Sequence, residues 1–239
     1  MKINVIIPTY KPDEKFERNL RMLRRQTLQP DRILIINTEE SLFHSKEFGK
    51  LPQGEIIHIK KSEFDHGGTR NRAAAMCDGD IIVLLTQDAI PADEYLLENL
   101  TKPFEDPEVC AAYGRQMADW KDNPVEAYTR TFNYPKESRI KSKEDLPVLG
   151  IKTFFCSNVC AAYRKSVYDA MGGFPLHTIF NEDMIFASRL IEAGKKIAYT
   201  ADAKVWHWHN YGAVEQCKRN FDLAVSQVDY GGLFAAVKS

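Results

Sequence analysis

The sequence has little to send its chain into or across a membrane. The opening stretch MKINVIIPTY holds an apolar run too short for a signal peptide, and Pro8 ends it without a small-residue cleavage site. No other run approaches the length of a membrane span. The five cysteines, Cys77, Cys110, Cys156, Cys160 and Cys217, are odd in number and form no CxxC pair. Reduced thiols and a cytosolic compartment are the expectation, and the formal sequon Asn99-Leu100-Thr101 then carries no meaning. Neither sign of charge dominates: 32 Lys and Arg stand against 33 Asp and Glu, a formal net charge of -1. A nucleic-acid binder would need a net basic face. Arg18, Arg21, Arg24 and Arg25 do cluster, as a solvated helix face would, with contact to anionic lipid as the sharper alternative. Without HExxH or GxSxG, zinc-protease and hydrolase-elbow chemistry have no support. Internal repeats and low-complexity segments are missing too.

What is present is an ordinary globular composition, 44% apolar over 239 residues, enough for one large domain or one domain with an appendage. Ile3 to Pro8 is apolar on both faces and predicts a buried strand. Asp13 is placed to cap a helix whose Phe16, Leu20 and Leu23 share one face. Further strands are predicted at Ile33 to Ile36, Ile56 to Ile59 and Ile81 to Leu85, with helices at Gly67 to Met76 and Asp93 to Pro103. This rhythm predicts an α/β fold, with a mostly parallel sheet covered on both faces and the ligand at the carboxyl ends of its strands. The second half is less regular. Strands are expected at Val109 to Tyr113, Phe154 to Tyr163, Lys196 to Thr200 and Val205 to His209. Helices are expected at Val125 to Phe132, Lys165 to Met171 and Asp183 to Ala193, the last closed by Gly194, and in part of Ala213 to Ser239. The polar, proline-punctuated stretch Asp119 to Leu149 reads as a functional or mobile loop.

Four clusters have residue types that carry chemistry. Asp88 follows the most apolar strand, so its carboxylate is delivered to the ligand edge of the sheet, where it could hold Mg or Mn against a diphosphate. An ordinary turn aspartate would look the same. Phe64-Asp65-His66-Gly67-Gly68-Thr69-Arg70-Asn71 offers glycines at a helix start and an arginine fork suited to phosphate, but matches neither the dinucleotide fingerprint nor a Walker loop. Asn181-Glu182-Asp183 follows Gly172-Gly173-Phe174-Pro175 and opens a helix. Its acids serve either the helix dipole or, as a general base, the activation of a sugar hydroxyl. In Val205-Trp206-His207-Trp208-His209 both histidines share one strand face, as a metal-ligating pair or as a polar cover.

In this order and spacing, from Ile3 to about Asp229, the segments resemble the inverting GT-A glycosyltransferases of family 2. VIIPTY resembles the family's opening strand, GGTRN its helix-opening segment, LLTQDA its DxD-type acidic motif, and GGF followed by EDM its acceptor-side base motif. FDHGGTRN, LTQDAIP and the late HxHxY are similar to bacterial rhamnosyltransferases of cell-surface polysaccharide synthesis. The resemblance implies a single domain over 1–239, with a nucleotide-sugar-binding half (1–105), an acceptor and catalytic half (106–212) and a C-terminal helical segment (213–239). It implies that Thr9 and Tyr10 contact the base, that Asn37 and Glu39 lie beside it, and that Arg70 approaches the base or phosphates. Gln87 would face the ribose. Asp88 would bind Mg or Mn with His209 as partner, Asp183 would be the base, and Glu182 would help hold the acceptor. The donor implied is a nucleotide-diphosphate sugar, thymidine-diphosphate rhamnose among them, and the acceptor a saccharide or lipid-linked saccharide. A cytoplasmic enzyme at the inner face of the membrane, with peripheral lipid contact and oligomerisation both open, fits such substrates.

The sequence departs from that pattern in two places. Asn37 and Glu39 replace the commoner aspartate and glycine, and Gln87 replaces an acid, which leaves Asp88 as the one carboxylate of its motif. A weak metal site completed by substrate phosphates is the expectation. Two rivals remain. A sugar nucleotidyltransferase would carry a glycine-rich basic loop where Pro8-Thr9-Tyr10-Lys11-Pro12 stands. A non-catalytic nucleotide-sugar-binding protein would have no use for Asp88, Asp183 and His209 together.

Overall fold

A computed structural model describes residues 1–119, 121, 124–209 and 211–235. The first half alternates as the apolar runs require: β1 (Ile3–Tyr10), α1 (Glu14–Leu23), β2 (Arg32–Thr38), β3 (Gly54–Ile59), α2 (His66–Ala75), β4 (Ile81–Leu85). The strands β3, β2, β1 and β4 lie side by side and parallel. Alternate residues of these strands feed two cores. Val5, Ile7, Ile33, Ile35, Val83 and Leu85 pack on one face with Phe16, Leu20 and Leu23 of α1. Ile6, Leu34, Ile36, Ile82 and Leu84 pack on the other with Ala73 and Ala74 of α2. Burial on both faces is why these strands are continuously apolar. The three α1 side chains are fully buried, worth roughly 1.5–3 kcal/mol each. Asp13 caps the helix by accepting from the Lys15 and Phe16 N–H groups at 2.9 and 3.3 Å.

The chain continues through β5 (Ile90–Pro91), α3 (Leu96–Thr101), β6 (Val109–Met117), α4 (Pro124–Asn133), β7 (Arg139–Lys141) and α5 (Leu146–Leu149). Then come β8 (Cys160–Arg164), α6 (Lys165–Ala170), α7 (Glu182–Glu192), β9 (Lys196–Trp206), α8 (Ala213–Asp229) and α9 (Gly231–Ala235). Strand order is β3-β2-β1-β4-β8-β6-β9-β5, with β7 also on β9. The second half is mixed: β8 runs antiparallel to both β4 and β6, while β9 is parallel to β6 and antiparallel to β5 and β7.

Several expectations need adjusting. The two strands predicted at 196–200 and 205–209 are one, β9, with a bulge: Gly114 faces Thr200, yet Arg115 faces Lys204. A Cβ at Gly114 would lie 2.5 Å from the Ala203 carbonyl oxygen, so the swelling needs a residue without a side chain there. The strand expected from Phe154 starts only at Cys160, because Gly150–Phe154 forms a 3-10 turn. The stretch 119–149 holds the helix expected near Val125 to Phe132, as α4, and in addition β7 and α5, with residues 120, 122 and 123 outside the described ones. The helical expectation for 213–239 is met by α8 and α9 up to Ala235; residues 236–239, and Asn210 of the HxHxY motif, lie outside the described residues. Among the described residues no helix is long and apolar enough to cross a membrane.

Candidate active site

Asp88 lies in the tight turn after β4. The turn is closed by the Ala89 N–H donating to the Thr86 carbonyl at 3.1 Å. It is tied to α1 by the buried Asn19, whose amide donates to the Thr86 carbonyl at 3.1 Å and the Gln87 carbonyl at 3.4 Å. Directly after the turn, β5 pairs antiparallel with the end of β9, Ile90 opposite Trp206. Continuing that register two residues sets Asp88 across from Trp208, between His207 and His209. The two Nε2 atoms accordingly lie 3.5 and 3.6 Å from the same Asp88 oxygen. Among the described residues, Asp88, His207 and His209 form a group whose ligand atoms all lie within 4.8 Å of one another. One hard carboxylate and two imidazoles are a mixed donor set that suits a first-row divalent cation such as Mn better than Mg, with part of the shell left for substrate. Burial alone would raise the Asp88 carboxyl, but the facing His207 and then His209 outweigh it and hold it far below the usual carboxylate range. Burial, then neighbouring His207, push the His209 imidazole down to about 4, so near neutrality it is the uncharged ring that a cation needs. His207, taken above only as half of a pair with His209, faces Asp88 as closely as its partner does.

The acidic pair lies at the same end of the sheet. Leu85 pairs with Cys160, and the Thr86 N–H donates to the Val159 carbonyl. The next residue back, Asn158, donates its backbone N–H to Asp183 at 2.8 Å and its side-chain amide to Glu182 at 3.1 Å. Asn181 adopts a left-handed conformation, φ 67°, which turns the chain so that both acids enter the first turn of α7. Their environments differ. Glu182 is 5% exposed and ion-paired with buried Arg70 at 3.4 Å. Burial would raise its carboxyl, but Arg70, with help from His66 and Asn158, lowers it. Half-buried Asp183 is ion-paired with no cation among the described residues: burial and then the charge of Glu182 raise its carboxyl, against the backbone N–H groups of Asn158 and Met184 and, most weakly, Arg70. Paired acids driven apart in this way are the signature of divided roles. Asn158 was invisible in the sequence, where Ser157-Asn158 follows Cys156 with no motif around it.

The glycine-rich segment does something other than what its composition suggests. The N-terminus of α2 is filled by Asp65, which accepts from the Gly68 N–H at 2.5 Å. A Cβ on Gly67 would sit 1.9 Å from the Pro175 carbonyl oxygen. Asn71 accepts from the Phe174 N–H and donates to its carbonyl, both at 2.9 Å. Arg70 donates to the His66 carbonyl at 2.8 Å and pairs with Glu182. FDHGGTRN therefore braces the GGFP loop and the acid pair, and its helix end is capped internally instead of standing open for phosphate. Arg70→Met is expected to lower the unfolding free energy by about 3–5 kcal/mol, because it strands the buried Glu182 charge. A shift in the urea midpoint reads this, and a loss under about 1 kcal/mol would mean that the pair is not buried as described.

On the nucleotide side, β1 and β2 end together, Thr9 opposite Asn37 and Tyr10 opposite Thr38. Asn37 is fully buried, accepting from the Thr9 hydroxyl at 3.3 Å and donating to the Glu39 carbonyl at 3.1 Å. Glu39, with φ 65°, accepts from the Lys61 N–H at 2.6 Å. Tyr10 is the exposed member, at 39%. Gln87 accepts from the Tyr10 N–H at 3.0 Å and donates to the Tyr10 carbonyl at 3.2 Å. A carboxylate there could only accept, which gives a physical reason for glutamine in place of the acid.

The profile of glycosyl transferase family 2 matches residues 4–172. The chain is 43% identical over 240 residues to the O-antigen chain rhamnosyltransferase RfbN of Salmonella typhimurium, covering 97% of this chain and 76% of that protein. It is 44% identical over 237 residues to the O-antigen chain rhamnosyltransferase WbaN of Salmonella anatum, covering 95% and 75%. Among solved structures, it resembles the mannosyltransferase PcManGT of Pyrobaculum calidifontis in complex with GDP-Man and Mn2+, with TM-score 0.63 and 18% identity over 86% of this chain. It also resembles S. aureus TarS 1-349 in complex with UDP-GlcNAc, with TM-score 0.64 and 14% identity over 89% of this chain. The chain spans 56% and 60% of those two structures. At such identities the likeness concerns the fold, which is of the GT-A kind.

Proposed function

The chain belongs to glycosyl transferase family 2, and from that membership we propose that it transfers rhamnose from a nucleotide-diphosphate donor, thymidine-diphosphate rhamnose, to a saccharide or lipid-linked saccharide of a cell-surface polysaccharide, with inversion. The observation that carries this is the meeting of Asp88, His207 and His209 at the sheet edge where Asp183 also lies. The identity with two O-antigen rhamnosyltransferases supports the sugar. In this reading residues 1–105 bind the donor and 106–212 the acceptor. The work is cytoplasmic, at the inner face of the membrane where lipid-linked acceptors are reached.

Asp88, His207 and His209 would hold Mg or Mn, which when bound offsets charge on the departing diphosphate. Exposed Tyr10 would meet the base, with Thr9, Asn37 and Glu39 setting the strand ends around it. Gln87 fixes the Tyr10 backbone. Asp183 takes the acceptor hydroxyl's proton as that oxygen attacks the anomeric carbon from the face opposite the leaving group. Glu182 and Arg70 position Asp183 rather than touching substrate, since both are buried and paired with each other. A donor panel of thymidine-, uridine- and guanosine-diphosphate sugars, with and without EDTA, tests the proposal by release of nucleoside diphosphate. Turnover with none of them would overturn it.

A pH dependence follows from the acid pair. The base must be ionised to work, and its carboxyl is raised. Turnover should therefore fall as pH drops, with a midpoint above the ordinary carboxyl range of about 4. A kcat unchanged from pH 8 to pH 5 would rule out Asp183 as the group being titrated.

A further inference from the structure

Behind the Asp88 cluster is a buried polar network that the mechanism above does not use. Gln116, near the end of β6, is 1% exposed. Its Nε2 lies 2.5 Å from the Tyr134 hydroxyl and 2.9 Å from the Ser157 hydroxyl. Its Oε1 lies 2.9 Å from Nδ1 of His207, whose Nε2 faces Asp88. With both amide hydrogens engaged by hydroxyls, the oxygen is left to accept, and the nitrogen it meets must carry the hydrogen. We infer that Gln116 is the positioning residue of the cation site: it holds His207 as the Nδ1–H tautomer and so leaves Nε2 a bare lone pair beside Asp88. This rests on the proposal that these residues bind a divalent cation. Outer partners of this kind fix the ring and tautomer of metal-ligating histidines.

Two neighbours oppose the assignment: the Asp88 carboxylate, 3.5 Å from Nε2, favours a hydrogen on that nitrogen while no cation is bound, and Arg130 lies against the other nitrogen. Arg130 Nη2 is 3.1 Å from the same Nδ1, and a donor there favours the other tautomer, with Nε2–H turned toward Asp88. The same Nη2 is 2.9 Å from Glu126, and a carboxylate is the stronger acceptor for a guanidinium. Glu126 also accepts from the His209 N–H at 2.9 Å, which fixes it in place. Gln116 is the acceptor at Nδ1 that opposes both. The reversed amide is also self-consistent: with Nε2 toward His207, both hydroxyls would donate to Oε1 and Nδ1 would accept. The two arrangements differ in which His207 ring nitrogen carries the hydrogen in the unsubstituted protein.

The test compares Gln116→Glu with Gln116→Met. Mn2+ affinity is read by electron paramagnetic resonance of free Mn2+ in the presence of thymidine diphosphate, with thermal melting as the folding control. Gln116→Met should weaken Mn2+ binding about 10–100-fold, while Gln116→Glu retains it. Loss in Gln116→Glu as deep as in Gln116→Met would overturn the assignment. Nitrogen-15 spectra of the unsubstituted, metal-free protein at pH 8.5 provide a second measurement that needs no variant to fold. A His207 ring protonated on Nδ1 supports the inference, and one protonated only on Nε2 overturns it. Neither measurement involves sugar transfer, so a chain that binds Mn2+ as described yet transfers no sugar would refute the proposed function and leave this inference standing.

Discussion

Asp183→Asn is expected to lower turnover by about 100-fold or more while donor binding persists. The amide cannot accept the acceptor's proton, yet it has the shape of the carboxylate. Its structural cost is the contact with the Asn158 and Met184 N–H groups, both at 2.8 Å, since one of them would now face an NH2 group. Two donors set against each other cost about 1–3 kcal/mol. Against this, the substitution removes a carboxylate whose ionisation is opposed by burial and by Glu182. The sign is fixed by linkage. A carboxyl raised in the folded state ionises at lower pH in the unfolded chain, so the native protein loses stability as pH climbs from the unfolded value through the folded one. Asp183→Asn should thus gain stability relative to the parent as pH rises from about 4, where the unfolded carboxyl titrates, to about 7, where the folded one does. Normal turnover in Asp183→Asn would remove the base assignment, and the melting comparison shows whether any loss comes from unfolding.

Asp88→Ala is expected to abolish the Mn2+-dependent part of nucleoside-diphosphate binding, a loss of about 100-fold or more, since removing even outer partners of a metal costs 10–100-fold. The fold should survive. The turn is held by Asn19 and by its own Ala89-to-Thr86 hydrogen bond, and these remain without the aspartate side chain. Two neutral imidazoles without a carboxylate bind a hard cation poorly. Calorimetric titration with thymidine diphosphate and Mn2+ measures the difference. Equal binding by Asp88→Ala and the parent would return Asp88 to the status of a turn residue.

Much of this was legible in the linear order of residues. Apolar runs such as Ile33 to Ile36 and Ile81 to Leu85 specify strands buried on both faces, because few other environments accept isoleucine and leucine without a break. A buried strand running into Thr86-Gln87-Asp88 delivers that carboxylate to the ligand edge whatever the rest of the chain does. The acids at 182 and 183 were visible as a pair at a helix start, since Asn181 and the glycines before it punctuate the chain locally.

Contacts between distant segments decided the rest. The two-residue strand β5 is too short to announce itself by periodicity, yet its register with β9 brings Asp88 between His207 and His209. Arg70 looked like a phosphate ligand because an arginine after glycines at a helix start has that chemistry. Its partner was decided by the packing of α2 against the GGFP loop, which puts Glu182 within 3.4 Å. Glu182 and Asp183, alike in sequence, became one paired and buried acid and one acid with a raised proton affinity because Arg70 pairs directly with the first and acts only weakly on the second. Residue type and spacing settled which groups stand at the sheet edge; which of them face one another, and so which are charged, was set by pairings across more than a hundred residues of chain, where the sequence carries no local signal.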